Sequence, residues 1–208
     1  MAVVFYRIFI GIYYLAAKLS ARWNPKAALW IQGRVEAWEK LEQADIKGCI
    51  WFHVSSLGEF EQARPLIESI KKKHPEEKIA LSFFSPSGYE IRKNFPLADL
   101  VFYLPIDTKA NAKRLIQLLQ PKKVIWVKYE FWYFILRELY LSKIPNVLIC
   151  ANFREDQLFF KWYGGFYRNL LKYFTRIFVQ NSTSKELLKG IDMPAHIAFD
   201  TRFDRVEA

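Results

Sequence analysis

Ile50-Trp-Phe-His-Val-Ser-Ser-Leu-Gly-Glu-Phe60 is the most informative part of the chain for both its fold and its candidate site. An apolar run rich in β-forming residues ends at Val54, which predicts a buried strand. Two serines and a glycine follow, and Glu59 stands where a helix should begin. Because ligands of α/β proteins bind at the carboxyl ends of strands, Glu59 is a candidate general base.

Outward from this stretch, strand-like and helix-like runs alternate along the chain. The predicted strands are Cys49–Val54, Ile79–Phe84, Leu100–Leu104, Val124–Lys128, Asn146–Ala151, Arg176–Gln180 and His196–Phe199. The predicted helices between them are Phe60–Lys73, Ser87–Asn94, Thr108–Leu119, Phe131–Ser142 and Gln157–Phe174. A unit recurs every ~20–30 residues, and strands that are apolar throughout indicate a sheet covered on both faces. The sequence therefore predicts an α/β fold with a Rossmann-like, doubly wound parallel sheet.

The chain carries a formal net charge of +10, which indicates a partner with negative charge. Nucleic acid, anionic lipid and phosphorylated small molecules all meet that description. No helix-turn-helix, RNP or OB pattern accompanies the charge, so we do not expect a nucleic-acid partner. Apolar residues make up 52% of the 208 residues, which is the composition of a globular protein rather than a disordered one.

The cysteines and histidines form no metal or redox motif. Cys49 and Cys150 lie in apolar, strand-like runs and are predicted to be buried free thiols. No CxxC motif or His/Cys cluster occurs, so no metal site is expected, and no GxGxxG or P-loop pattern indicates a nucleotide site. His53 lies inside a strand and is predicted to be a hydrogen-bonded core residue.

The first twenty residues are apolar and aromatic, with Arg7 among them. We interpret residues 1–23 as an anchor helix on a membrane surface, because the stretch is marginal in length for a span and Arg7 would be costly at mid-bilayer. A single span and a buried core helix are the alternatives. Residues 24–47 are predicted to form a helical connector, and residues 48–208 the Rossmann-like domain.

The turns after the predicted strands carry the candidate site residues, since such turns converge at one edge of a parallel sheet. Glu59 and Glu130 each follow an apolar strand, and for both the alternative is a carboxylate that stabilises a helix start. That helix start is expected to keep Glu59 ionised at neutral pH. The candidates for substrate binding are Ser55, Ser56, Gly58, Ser85, Ser87, Gly88 and Arg154. A simple turn explains the Ser-Pro-Ser-Gly sequence equally well.

Seven short motifs follow one another along the chain. They are Trp51-Phe-His-Val-Ser-Ser-Leu-Gly-Glu59, Ser85-Pro-Ser-Gly88, Tyr103-Leu-Pro-Ile-Asp107, Lys128-Tyr-Glu-Phe-Trp132, Ala151-Asn-Phe-Arg154, Val179-Gln-Asn181 and Asp200-Thr-Arg-Phe-Asp204. In this order they resemble the N-terminal half of bacterial 3-deoxy-D-manno-octulosonic acid (Kdo) transferases. Each motif alone is weak, but together they are specific.

The resemblance implies one half of a GT-B glycosyltransferase, in which two Rossmann-like domains face a cleft. The N-terminal domain of that family holds a lipid acceptor and the C-terminal domain binds the donor, CMP-Kdo. It implies inverting transfer of Kdo to a lipid A precursor at the cytoplasmic face of a Gram-negative inner membrane, with no cofactor and no fixed metal ion. By position in the motifs, Glu59 matches the proton acceptor, and Glu130 and Arg202 match residues that stabilise the transition state.

The chain departs from the family pattern in three places. Lys128-Tyr-Glu-Phe-Trp132 stands where members usually have Glu-Thr-Glu-Leu-Trp, and Phe199 stands where a glycine is usual. The chain ends at Ala208, where an interdomain linker is expected, so we expect the donor domain to be absent and this half alone to be inactive. The alternative function is a truncated, non-catalytic, membrane-associated module that binds lipid.

Overall fold

The computed structural model describes residues 1–198, which form a seven-stranded parallel sheet flanked by helices. The strands are β1 (Ile50–Val54), β2 (Ile79–Phe83), β3 (Leu100–Tyr103), β4 (Lys123–Val127), β5 (Asn146–Ala151), β6 (Arg176–Val179) and β7 (His196–Ile197). The helices are α1 (Ala2–Ser20), α2 (Pro25–Gln43), α3 (Leu57–Lys73), α4 (Pro86–Arg92), α5 (Lys109–Leu119), α6 (Tyr133–Leu141), α7 (Gly165–Leu171) and α8 (Ser182–Lys189). A 3₁₀ turn covers Leu158–Phe160.

The predicted Rossmann-like, doubly wound fold is confirmed. The strands lie in the order β3-β2-β1-β4-β5-β6-β7, and every neighbouring pair is parallel. Trp51 and Phe52 of β1 point to opposite faces of the sheet, and both are fully buried. Strands covered on both faces need apolar residues at every position, which is why these runs show no alternation. The bounds of β1 to β6 differ from the predicted ones by at most one residue.

The chain winds outward from the centre of the sheet in both directions. From β1 it runs through β2 to β3 at one edge, and then it crosses to β4, which pairs with the other side of β1. The connections that leave β1 and β4 therefore diverge and open a crevice at the carboxyl ends of these two strands. Such a switch point is where open α/β sheets bind ligands.

The predicted helix Gln157–Phe174 is wrong, because the chain forms the short 3₁₀ turn and α7 instead. A Cβ atom at Gly164 would lie 1.8 Å from the carbonyl oxygen of Leu158, so the turn between the two elements admits only glycine. The guanidinium of Arg168 donates hydrogen bonds to the carbonyls of Phe159 and Lys161, at 3.0 and 2.7 Å. Hydrogen bonds from a side chain thus replace those that a continuous helix would make. The short helix α8 was also not predicted.

Helix α1 lies against the sheet domain along one side and leaves its other side exposed. Ile10 is buried, and the hydroxyl of Tyr6 donates a 2.5 Å hydrogen bond to Asp107 in the loop after β3. Asp107 also accepts hydrogen bonds from the backbone N–H groups of Phe134 and Ile135, both at 2.9 Å, and thereby caps α6. The apolar residues on the outer side of α1 include Phe5, Ile8, Phe9, Ile12, Leu15 and Leu19, all exposed. A helix exposed to this extent is not the buried core helix that was one alternative.

Helix α2 packs closely on β3, and a glycine makes that approach feasible. A Cβ atom at Gly33 would lie 2.2 Å from Cε2 of Tyr103, whose side chain is almost completely buried. We therefore expect Gly33→Ala to lower the free energy of unfolding by about 1–3 kcal/mol through overpacking, as measured by urea denaturation. Gly11→Ala is the matched control, because within residues 1–198 no atom beyond the backbone of α1 lies within 4 Å of its added methyl group, and alanine favours helix. An unchanged or raised stability in Gly33→Ala would contradict this packing.

Candidate active site

The crevice between β1 and β4 holds both carboxylates that the sequence singled out. Glu59 lies in the first turn of α3, directly after β1, because α3 begins three residues earlier than predicted. Glu130 lies in the loop between β4 and α6. The two side chains are close enough for the charge of Glu130 to act on the ionisation of Glu59. The expected convergence of these turns at one edge of the sheet is confirmed.

The Glu59 carboxylate is half-buried against the backbone that leaves β1. It accepts a hydrogen bond from the backbone N–H of Ser55. Ser56 occupies the N-cap position of α3, but its side chain makes no capping hydrogen bond. The backbone N–H of Ser56 also acts on the Glu59 carboxylate, so half of a capping box is present. A helix-start role accounts for these backbone contacts and leaves the burial of Glu59 unexplained.

Burial, followed by the negative charge of Glu130, raises the pKa of Glu59 from 4.5 to about 7. The backbone N–H groups of Ser55 and Ser56 and the ammonium group of Lys128 act in the opposite direction. The helix start was expected to keep Glu59 ionised at neutral pH, but burial outweighs these groups, so Glu59 is only partly ionised there. A carboxylate with a pKa near neutrality can both remove and return a proton at physiological pH.

Glu130 is buried, with 8% of its surface exposed, and it is held by two donors. Its Oε2 atom accepts a 2.7 Å hydrogen bond from Nε1 of Trp132 and lies 3.0 Å from Nε2 of His53. The backbone reaches this position through Lys128, which has a φ angle of +61°, in the left-handed region. Helix α6 starts only at Tyr133, so a solvated helix-start carboxylate does not describe Glu130.

His53 is fully buried and hydrogen-bonded, as predicted, but its contact with Glu130 was not foreseen. Its Nδ1 atom lies 2.8 Å from Oγ of Ser82, and that oxygen accepts a 2.7 Å hydrogen bond from Nε1 of Trp51. An indole N–H only donates, so the Ser82 hydroxyl can donate to Nδ1 while Nε2–H of His53 donates to Glu130. In this arrangement every polar hydrogen has a partner. A buried chain of four hydrogen bonds, from Trp51 to Trp132, thus fixes the position of the Glu130 carboxylate.

The serine-rich turn after β2 lies beside the turn that carries Glu59. The backbone N–H of Ser85 donates to the carbonyl of Ser55 at 2.9 Å. The Ser85 hydroxyl accepts from the backbone N–H of Ser87 and contacts its hydroxyl at 2.8 Å, so local capping uses both side chains. A Cβ atom at Gly88 would lie 2.6 Å from the ring of Phe83, which makes close packing the role of this glycine.

The remaining candidates are spread along the same edge or lie outside the described residues. Gly58 is exposed next to Glu59, and among residues 1–198 no atom outside its own turn of α3 lies within 4 Å of the position of an added Cβ. Arg154 is exposed in the loop after β5, with Nε 3.4 Å from Oδ1 of Asp156. Arg202 and Phe199 lie outside residues 1–198.

Comparison with known proteins identifies a family for nearly the whole chain. Residues 21–205 match the family model described as 3-deoxy-D-manno-octulosonic-acid transferase (kdotransferase). The 3-deoxy-D-manno-octulosonic acid transferase of Aquifex aeolicus is 33% identical over 106 residues, which are 50% of this chain and 28% of that protein. The protein of the same name from Haemophilus influenzae is 32% identical over 104 residues, which are 50% of this chain and 24% of that protein. The matched part thus spans less than a third of either relative.

A solved structure supports the fold independently. The UDP-GlcNAc 2-epimerase from Neisseria meningitidis, solved with UDP-GlcNAc bound, superimposes with a TM-score of 0.57 at 15% identity. The likeness covers 76% of this chain and 48% of the epimerase, which corresponds to half of a larger protein. At this identity the likeness shows the fold alone. The match of the family model, from residue 21 to residue 205, shows more: the chain belongs to the 3-deoxy-D-manno-octulosonic acid transferase family.

Proposed function

We propose that this chain is the acceptor-binding half of an inverting glycosyltransferase that moves Kdo from CMP-Kdo to a lipid A precursor. The observation that carries the proposal is Glu59, which has a pKa of about 7 at the switch point of the sheet. Glu59 takes the proton of an acceptor hydroxyl of the distal glucosamine. The hydroxyl oxygen bonds to the anomeric carbon of Kdo, while the bond from that carbon to the phosphate oxygen breaks. CMP leaves with the electron pair.

Glu130 and Arg202 assist this step without exchanging atoms with the substrate. The charge of Glu130 keeps Glu59 basic, and the hydrogen bonds from His53 and Trp132 prevent Glu130 from turning away. In the proposed reaction Arg202 offsets the negative charge that develops on the leaving phosphate. The donor CMP-Kdo is held by a second domain across the cleft, and no cofactor or metal ion takes part.

We place the protein at the cytoplasmic face of the inner membrane, with α1 on the bilayer surface. By length and composition α1 meets the requirements of a membrane helix, with a mean hydropathy of 1.5, and little of it is buried. Its inner side is fixed to the domain by Tyr6 and Ile10, which favours a helix lying on the membrane over one that crosses it. The net charge of +10 suits anionic lipid and a phosphorylated acceptor.

The proposal is tested by incubating the full-length transferase with CMP-Kdo and a lipid A precursor. We expect mass spectrometry to show a product heavier by one or more Kdo residues, with one CMP released for each. Binding of the precursor without transfer or release of CMP would contradict the proposal. That outcome would support the alternative, a non-catalytic module that binds lipid, for which the exposed apolar side of α1 is the relevant observation.

A further inference from the structure

A cavity of about 600 Å³ lies between α1 and the start of α5, apart from the crevice that holds Glu59. Helix α1 contributes one wall, and residues 106–110, together with Lys113 and Phe134, contribute the other. The wall formed by α1 is open at Gly11, where no atom of the described residues outside α1's own backbone lies within 4 Å of an added Cβ. Glycine in the middle of a helix is less stable than alanine, and here it leaves space beside the cavity.

Three cations stand around this cavity. They are Arg7 of α1 and Lys109 and Lys113 of α5, and none of them forms an ion pair within residues 1–198. The carboxylate in the wall belongs to Asp107, and its oxygens already accept hydrogen bonds from Tyr6 and from the first turns of α6. The cations are therefore available to an anion, and the apolar part of the lining suits a hydrocarbon chain.

The cavity continues into a smaller one of about 300 Å³. The two share Tyr14, Ile106 and Thr108, and the smaller one extends to Val35 and Trp38 of α2. Together they form a groove along the inner side of α1, with Arg7, Lys109 and Lys113 at one end and Val35, Trp38 and Pro105 at the other. We call this the α1 groove. Arg34 and Asn111 also line the second end, but the guanidinium of Arg34 already donates to the carbonyls of Trp30 and Phe84. The charge and shape of the α1 groove match an anionic amphiphile that places one acyl chain in the groove.

We propose that the α1 groove binds one anionic glycerophospholipid of the membrane, with its phosphate at Arg7, Lys109 and Lys113 and an acyl chain along Tyr14 towards Trp38. This inference rests on the proposed placement of α1 at the bilayer surface. A phosphorylated, acylated acceptor has similar chemistry, and the competition experiment described below separates it from a glycerophospholipid. The first cavity lies beside the loop that follows β3. Strand β3 is two strands away from β1, the strand that precedes Glu59, and this separates the two strands by about 10 Å.

The test uses dihexanoyl phosphatidylglycerol as a water-soluble, monomeric probe, titrated into the chain by isothermal calorimetry. Gly11→Leu puts a side chain beside the groove without a change in charge, and we expect the Kd to rise at least about tenfold. Ala16→Leu is the matched control, since it adds the same bulk at an exposed position of α1 that does not line the groove. The double variant Lys109→Gln, Lys113→Gln is expected to weaken binding to a similar extent, and circular dichroism confirms that each variant is folded.

Three results would overturn the proposal. The first is an equal affinity of Gly11→Leu and wild type, and the second is equal binding of dihexanoyl phosphatidylcholine, whose head group has no net charge. The third is displacement of the probe by a phosphorylated glucosamine disaccharide lipid at equal concentration, which would assign the groove to the acceptor. A negative result for lipid binding would leave the proposed role of Glu59 untouched. The rate of Kdo transfer by the Gly11→Leu variant, measured in detergent micelles that contain the acceptor, reports on the reaction alone.

Discussion

Glu59→Gln is expected to lower the rate of Kdo transfer by about 10²–10⁴-fold, the contribution typical of a general base. The amide still accepts the hydrogen bond from the backbone N–H of Ser55, so the first turn of α3 should remain intact. Acceptor binding should therefore persist while transfer is lost. In the wild type, the rate should rise as the pH increases through about 7, because Glu59 must be ionised to take the proton. The rates are measured by CMP release in the full-length transferase.

Glu76→Gln provides the control for Glu59→Gln, because it makes the same chemical change at an exposed carboxylate in the turn that follows α3. Its rate and pH profile should match those of the wild type. If Glu59→Gln kept near-normal turnover, Glu59 would be a helix-start residue with a raised pKa and no part in proton transfer.

Glu130→Ala and Glu130→Gln are expected to differ, because they separate the charge of this residue from its hydrogen bonds. Alanine leaves Nε2 of His53 and Nε1 of Trp132 without their acceptor, and His53 is fully buried. We expect a loss of about 2–3 kcal/mol in the free energy of unfolding, the cost of buried donors without partners. Glutamine can accept both hydrogen bonds through its carbonyl oxygen, so most of the stability should remain.

Activity should fall in both variants of Glu130, because each removes the charge that raises the pKa of Glu59. Chemical denaturation measures the stability of each variant, and the transfer assay measures its activity. Glu155→Ala, an exposed carboxylate after β5, serves as the control and should change neither. Equal stability of Glu130→Ala and Glu130→Gln would mean that the hydrogen bonds to His53 and Trp132 contribute little.

Most of the fold could be predicted because it rests on continuous apolar strands. In β1, Trp51 and Phe52 point to opposite faces and both are buried, so the run is unambiguous once a parallel sheet is assumed. The helix predicted over residues 157–174 failed for a local reason. Its aromatic and cationic pattern is compatible with a helix, while the break depends on the contact of Gly164 with the carbonyl of Leu158. Such a contact has no signature in the periodicity.

The site was predictable in its carboxylates and not in its supporting residues. Glu59 and Glu130 each follow an apolar strand, so topology alone places them at one edge. Ser82 faces His53 only because the register of β1 and β2 pairs these two residues, and register cannot be deduced from either strand by itself. The pKa of Glu59 was misjudged for a related reason. Its burial depends on tertiary packing, while the helix-start amides are visible in the sequence.

The most direct test of the account is the pKa of Glu59, measured by ¹³C NMR of the side-chain carboxyl groups in the glutamate-labelled chain. Glu59→Gln identifies the resonance, and Glu130→Gln tests the coupling between the two carboxylates. We expect a pKa of about 7 in the wild type and a lower one in Glu130→Gln. A pKa near the ordinary 4.5 that does not respond to Glu130→Gln would contradict the account, since Glu59 would then be a solvated helix-start residue.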